Sequence, residues 1–455
     1  MRRDKNMDKK QEIQDEVQLI QDLFDGIDNG DFNNFGETSD KYTFKYLKAI
    51  WDLQTVLDGG KELYKQIYEI AIKCGIRHVQ QKYKTGRKIK VAFLTISAAE
   101  WPAESVYRLL KMNENVEAYL VVGPLIDRSV ENMEDAFEKT ASFFEKRGYD
   151  VRRAYDSKNK KVRLWEEIGK PDIVIHLTHW YKSLPEEYQI ENYPFTILNC
   201  YIPYAMSLAD NAKGTFMINS SNNSMFLNMM WHIYTDTMYH YEGYREYQLL
   251  GGENVVFTGF PKMDFFYNKI ENTSDQLMLM ANWKYPTGCD PKNMKKVIIA
   301  PHHTFLGYGG ILYSTFQWNM YFWIYLAKKY ENQISFIFKP HPNLRTRAIE
   351  AEVFRDAGDY ERYIDLWEKL PNARVSAEES YLEIFATSDG MIMDSNSFLA
   401  EYMYVNKPLL FLTREEQTFN KLGRSIVDTY DQCDGRDYIG IESFLQNVIL
   451  NGKDD

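Results

Sequence analysis

The sequence predicts an α/β protein made of two doubly wound, Rossmann-like halves behind an N-terminal helical extension. Three observations carry that prediction. From residue 89 onward, short apolar runs alternate with amphipathic segments, the signature of parallel strands joined by crossover helices. The alternation comes in two series, with a break around residues 262–293. A chain of 455 residues also exceeds what a single ordinary core supports. The expected divisions are a helical extension with a basic linker over 1–88, a first Rossmann-like domain over 89–265 and a second over 266–455.

Composition narrows the class. Apolar residues make up 44% of the chain, enough for packed cores, and the formal net charge is −11. That charge argues against broad nucleic-acid binding while leaving room for a local phosphate site. The four cysteines, Cys74, Cys200, Cys289 and Cys433, are far apart and show no metal-ligand spacing, so reduced thiols in a cytoplasmic protein are expected. The charged start "MRRDKNMDKKQEIQDEVQ" has no apolar core of a secretory signal, and no run reaches the roughly 18 apolar residues of a membrane span.

In chain order, "VQLIQDLFDGI" is a short apolar patch in a polar, acidic start. "YKQIYEIAIKCGIRHVQQKY" repeats apolar residues at helical spacing, and "KYKTGRK" follows as a basic linker. The first series of strands is "IKVAFLTIS", "VEAYLVVGPL", "DIVIHLTHW", "FTILNCYIP", "HIYTDTM" and "NVVFTGFPKMD". The second is "KKVIIAPHHT", "ISFIFKPHP", "ARVSAE", "GMIMDSNS" and "KPLLFLT". The helices between them include "SVENMEDAFEKTASFFEKRGY", "STFQWNMYFWIYLAKKYENQ", "RAIEAEVFRDAGDYERYIDLWEKL" and "FLAEYMYVN", with "IESFLQNVIL" closing the chain. No glycine cluster has the spacing of a dinucleotide fingerprint, and no P-loop is present.

Three polar clusters follow strands of the second half: Pro301-His302-His303-Thr304, Lys339-Pro340-His341-Pro342 and Asp394-Ser395-Asn396-Ser397. In a parallel sheet they gather on one edge, where such sheets bind ligands. The chemistry suits phosphate. Ser395, Asn396 and Ser397 are expected to open a helix whose free N–H groups favour an anion. His341 or Lys339 donates to another phosphate oxygen, and Glu401 accepts from a ribose hydroxyl. Plainer readings stand beside these: Ser397 as a helix cap, His341 as a packed histidine, Glu401 as a solvated helix charge. Of His302 and His303, adjacent in an extended segment, one is expected to face a ligand. His176 and His179 are read as packing residues, and the aromatic set Phe316, Trp318, Tyr321, Phe322, Trp323 and Tyr325 as core.

With these residues in view, the chain resembles the CDP-glycerol glycerophosphotransferases, which build teichoic acids and related capsules. "GMIMDSNSFLAEYMYVNKPLLFLT" is similar to their C-terminal signature, with Asp394, Ser397, Glu401, Lys407 and Pro408 matching and Asn396 in place of a serine. "FKPHP" is similar to their His-Pro after a strand, and "VVFTGFPKMDFF" to their Gly-x-Pro-x-x-Asp segment, matching Gly259, Pro261 and Asp264. The resemblance implies a GT-B fold with two facing Rossmann-like domains. It implies a cytoplasmic transferase that needs no metal or other cofactor and moves a polyol phosphate from a CDP-activated donor to a glycan or lipid-linked acceptor, with peripheral contact at the inner membrane face. His341, His302 and His303 are then the catalytic candidates. Lys339, Asp394, Ser395, Asn396, Ser397, Glu401, Gly259 and Pro261 are the donor-binding ones. The basic residues Lys82, Lys84, Arg87, Lys88 and Lys90 are the candidate surface for anionic lipid.

One departure matters. The family carries His-Gly-Thr-Pro-Leu-Lys near the end of its first domain, and its histidine is a candidate base. The matching region here, "LNCYIPYAMSLAD", has no histidine. His302, His303, His179 and Asp210 are the remaining candidates for that role. A nucleotide-sugar glycosyltransferase using a CMP- or UDP-sugar, and a catalytically silent assembly protein, are the alternative functions. The sequence leaves the oligomeric state open.

Overall fold

A computed structural model describes residues 15–26, 40–55, 59–211, 213–215, 217–267, 281–306, 310–376, 381–396 and 398–453. The chain divides into two compact units. The first is Met1–Ala205 with Ile218–Lys262, and the second is Met206–Met217 with Met263–Asp455.

The first unit is built on a seven-stranded sheet. Its strands are β1 (Ile89–Thr95), β2 (Val116–Val122), β3 (Val151–Arg153), β6 (Ile173–His176), β7 (Leu198–Tyr201), β8 (His232–Thr235) and β9 (Val255–Phe257), while β4 (Tyr155–Asp156) and β5 (Lys161–Val162) form a separate hairpin. The order is β3-β2-β1-β6-β7-β8-β9, and every pairing in it is parallel. Strand side chains alternate between two cores. Val91, Phe93, Leu120 and Val122 enter one, and Ala92, Leu94, Tyr119 and Val121 the other. A strand buried on both faces must read as a nearly unbroken apolar run, and "IKVAFLT" does.

The helices before residue 89 are a layer of this unit rather than a separate extension. In the helix Gly60–Lys84, Tyr64, Ile67, Ala71 and Cys74 are buried in the same core as Tyr119 and Val121. Gly75 permits the close approach: a Cβ there would lie 2.5 Å from the Leu198 side chain. Near the end of the helix, Lys82 Nζ donates to both carboxylate oxygens of Asp172 at 2.7 and 2.6 Å, and Lys90 N and His78 Nε2 complete that carboxylate's partners. Lys82 is therefore committed to a buried ion pair and is not part of a free basic surface; Lys84, Arg87 and Lys88 are exposed.

The second unit carries β10 (Lys295–Ala300), β11 (Ile334–Phe338), β12 (Ala373–Val375), β13 (Gly390–Met393), β14 (Leu409–Thr413) and β15 (Asp431–Asp434). They run parallel in the order β12-β11-β10-β13-β14-β15. Counted within the unit, this is the doubly wound dinucleotide-fold order, whose reversal lies between β10 and β13. The helix Phe316–Lys329 covers one face. Phe316 and Trp323 are buried as expected, but Tyr321 and Tyr325 are exposed, and Trp318 lies beneath the guanidinium groups of Arg414 and Arg436. The stretch expected as one long helix after residue 346 is two, Leu344–Glu350 and Ala357–Glu368, the second capped by the Asp356 side chain. β15 reads "DQCD" and has no apolar signal, because an edge strand need not be buried.

Candidate functional site

The carboxyl ends of β10, β11 and β13 bring the three polar clusters of the second unit together. Asp394, the first residue after β13, is buried and holds the others in place. One carboxylate oxygen accepts from the backbone N–H of His302, and the other from the N–H of Thr315 and, at 2.9 Å, from its hydroxyl. Burial pushes the carboxyl up to about 6 in spite of these donors. Both oxygens are thus spent on the fold, and Asp394 acts on a ligand only through the loop it positions.

That loop carries the histidines. The His303 and His341 rings stack with centroids 3.9 Å apart, and His302 lies 5.5 Å from His341. Burial lowers all three: His341 to about 3, where His303 and Lys339 add to the effect, and His303 to about 4, where Arg347 adds to it. His302 is pushed well below the ordinary imidazole range, first by burial and then by the other two. At neutral pH the imidazoles are uncharged, so each offers one N–H. In His341 the Nδ1 accepts from Asn343 N at 3.1 Å, which places the proton on Nε2. In His302 the Nδ1 accepts from Thr304 N at 3.3 Å and lies 2.8 Å from the Thr304 hydroxyl, with the same consequence. The His303 Nδ1 is buried and has no hydrogen-bond partner among the described residues. His302 and His303 both lie against His341, although adjacent residues of an extended segment were expected to diverge.

Lys339 is buried, with its ammonium 5.9 Å from the centroid of the Tyr381 ring. Tyr381 donates its hydroxyl to Glu401 Oε2, and Glu401 is buried, so it is not a solvated helix charge. The expected anion site at a helix start takes another form. The helix spans only Leu399–Met403, begins after Phe398 and has no side-chain cap. Ser395 is buried and Asn396 half-buried just ahead of it, and Ser397 lies outside the described residues. A helix of five residues has little dipole to offer, so any anion there depends on side chains and loop N–H groups. Lys407 donates to the carbonyls of Ala386 and Ser388, a structural tie.

Gly259 and Pro261 belong to the first unit, beyond the end of β9. Gly259 has φ +83°, a conformation that glycine adopts freely, and its N–H shares the Thr235 carbonyl with that of Thr258. On the same unit, His176 is packed as expected: it is buried, 3.1 Å from Asn199 Oδ1 and stacked on Tyr193. His179 lies against Trp180 and Tyr204. Burial lowers both histidines to about 4. Asp210 accepts from Asn211 N at 2.8 Å.

Sequence reasoning missed Glu100, in the loop after β1, and the pair His240–Asp236 after β8. His240 Nδ1 is 2.6 Å from Asp236 Oδ1, and both residues are buried. The i, i+4 spacing of Asp236 and His240 was a usable signal for the pair. Nothing but its position after a strand marked Glu100.

Fold and site define a class: an α/β protein of two Rossmann-like units, whose second sheet presents imidazoles, a lysine and hydroxyls at its carboxyl edge. The family is more specific. Residues 244–434 match the model of the family described as CDP-glycerol:poly(glycerophosphate) glycerophosphotransferase. The teichoic acid poly(ribitol-phosphate) polymerase of Bacillus spizizenii is 24% identical over 183 residues, which are 40% of this chain and 26% of that protein. The chain thus matches about a quarter of the length of that relative. Among solved structures, the wall teichoic acid polymerase TagF aligns at 12% identity over 84% of this chain and 92% of the other, with a TM-score of 0.45. The UDP-GlcNAc 2-epimerase of Neisseria meningitidis aligns at 16% identity over 79% and 91%, with a TM-score of 0.43.

Proposed function

We propose that the protein transfers a polyol phosphate, glycerol or ribitol phosphate, from a CDP-activated donor to an acceptor hydroxyl in the synthesis of a bacterial surface polymer. The observation that carries this reading is the coincidence of family match and geometry. Within the matched residues 244–434, Lys339, His341 and Asp394, which resemble the family signature, follow neighbouring parallel strands at one sheet edge, with His302 and His303 beside them.

In this reading the donor pyrophosphate meets neutral imidazole donors and the Lys339 ammonium. The acceptor oxygen attacks the β-phosphorus and CMP leaves. The His341 Nε2–H and Lys339 stabilise the charge that grows on the departing phosphate, the electrostatic contribution that usually dominates such reactions. The acceptor is a glycan or lipid-linked chain. Among the described residues no helix is long and apolar enough to cross a membrane. Lys84, Arg87 and Lys88 are the exposed cations for contact with an anionic bilayer.

The test is a binding and turnover panel of CMP, CDP, UDP, CDP-glycerol, CDP-ribitol and CMP-sugars. CDP-polyols should bind and release CMP when acceptor is present. Preference for a UDP- or CMP-sugar would make the protein a glycosyltransferase, and binding of no nucleotide would make it a silent assembly protein.

A further inference from the structure

The first unit contains a cavity of about 420 Å³, within the size range of small-molecule sites. It is bounded by the helical residues 15–26, by the helix Lys45–Leu53 and by the turns between Tyr181 and Asn192. All of these belong to that one unit. We propose that the cavity binds an uncharged, hydroxyl-rich ligand, a sugar or polyol unit. This inference stands independently of the transfer reaction.

The walls are anchored, since Leu23, Leu47, Ile50, Tyr188 and Ile190 reach from the same elements into one core. Glu191 is the wall residue that points to a ligand. It is 5% exposed, and its Oε1 accepts from Lys182 Nζ, while its Oε2 has no hydrogen-bond partner among the described residues. Buried polar atoms seldom go without a partner, and a carboxylate on a cavity wall can take its second hydrogen bond from a ligand donor.

Charge decides the class of ligand. Lys182 is held by Glu191 and, at 3.2 Å, by Gln189 Oε1. Lys48 donates to Asp52 and lies 3.6 Å from Glu16. The cavity is lined by the lysines 45, 48 and 182 and by the glutamates 16, 186 and 191, so its formal charges cancel. A phosphate entering it would meet the carboxylates, and a metal ion would meet the ammonium groups. A neutral hydroxyl suits both, because it donates to a carboxylate and accepts from an ammonium. Leu19 and Ala49 add apolar wall for the C–H surface of a sugar or polyol.

The experiment is saturation-transfer NMR and calorimetry on the full chain with glycerol, ribitol and N-acetylglucosamine, and with inorganic phosphate as the charged competitor. At least one neutral probe should bind, and phosphate should not displace it. Glu191→Gln keeps the size of the side chain and removes its charge. It should weaken the tightest probe by about tenfold or more, the usual effect of losing a hydrogen bond to a charged group. Lys45→Ala, at an exposed position, should weaken the same probe by a smaller factor with an unchanged melting temperature, which keeps the test open if Glu191→Gln does not fold. A wild type that binds none of the three neutral probes overturns the proposal. So does binding that neither substitution weakens, which would put the probe elsewhere on the chain, and so does displacement of the neutral probe by phosphate. None of these outcomes depends on turnover of a CDP-polyol, so this site and the transfer reaction fail separately.

Discussion

The two sheets end differently. At the carboxyl edge of the second, three imidazoles are packed around Asp394 and Lys339, and the polar atoms are mostly tied to one another. At the edge of the first lie aromatic rings and Glu100, whose buried Oε2 has no hydrogen-bond partner among the described residues. Binding sites that hold a polyanion benefit from many fixed donors whose hydrogen bonds need no rearrangement. A group that must accept a proton has to keep one lone pair unspent. The contrast is between imidazoles held neutral at one edge and a carboxyl held basic at the other. Burial produces both, since it neutralises imidazoles by lowering them and makes a carboxyl basic by raising it.

The comparison breaks first at His341. His341→Ala should reduce turnover by on the order of 10²–10³, the usual cost of one preorganised donor, with little change in melting temperature because the ring is only half-buried. Steady-state kinetics and a thermal melt on the same preparation check it. Near-normal turnover would reduce Lys339-Pro340-His341-Pro342 to strand punctuation.

A second prediction concerns the pH dependence of the second edge. A bound pyrophosphate favours protonated imidazole, so His303 and His341, held at about 4 and about 3 in the free protein, are raised by the ligand. Binding then takes up protons, and affinity for CDP-glycerol should increase as pH falls below neutral, by up to about tenfold per pH unit for each proton taken up. Calorimetry in buffers of different ionisation enthalpy counts the protons. Affinity that is flat between pH 5 and pH 7 would rule out proton uptake and leave the imidazoles as neutral N–H donors at most.

The smallest effect is away from both edges. Lys82→Ala leaves the buried Asp172 carboxylate with His78 and the Lys90 N–H, and should cost about 1–3 kcal/mol in a denaturant melt. The Asp172 carboxyl is held below its ordinary value, against the cost of burial, by His78, Lys82 and the Lys90 N–H. Its stabilisation is present above the ordinary carboxylate range and is lost as pH falls through and below it, so the wild-type advantage should shrink in acid. Neutralising Lys84, Arg87 and Lys88 should leave the melt unchanged and reduce sedimentation with anionic vesicles if that surface contacts lipid.

Much of this protein was legible in the sequence. Apolar runs such as "IKVAFLT", "KKVIIA" and "ISFIF" name the central strands, because a strand covered on both faces cannot hide its composition. Parallel crossover topology then forces residues just past those strands onto one edge, so the meeting of His302, His303, His341 and Asp394 followed from order along the chain. The edge strands β3 and β15 were not legible, since exposure releases them from that composition. Nor was the start of the helix at Leu399, or the incorporation of the helix Gly60–Lys84 into the first core, which depends on Gly75 meeting Leu198. The division of roles among like residues belonged to tertiary structure alone. Sequence cannot distinguish the spent carboxylate of Asp394 from that of Glu100, whose Oε2 has no partner among the described residues, because a proton's affinity is set by which distant donors and how much solvent the fold brings to it.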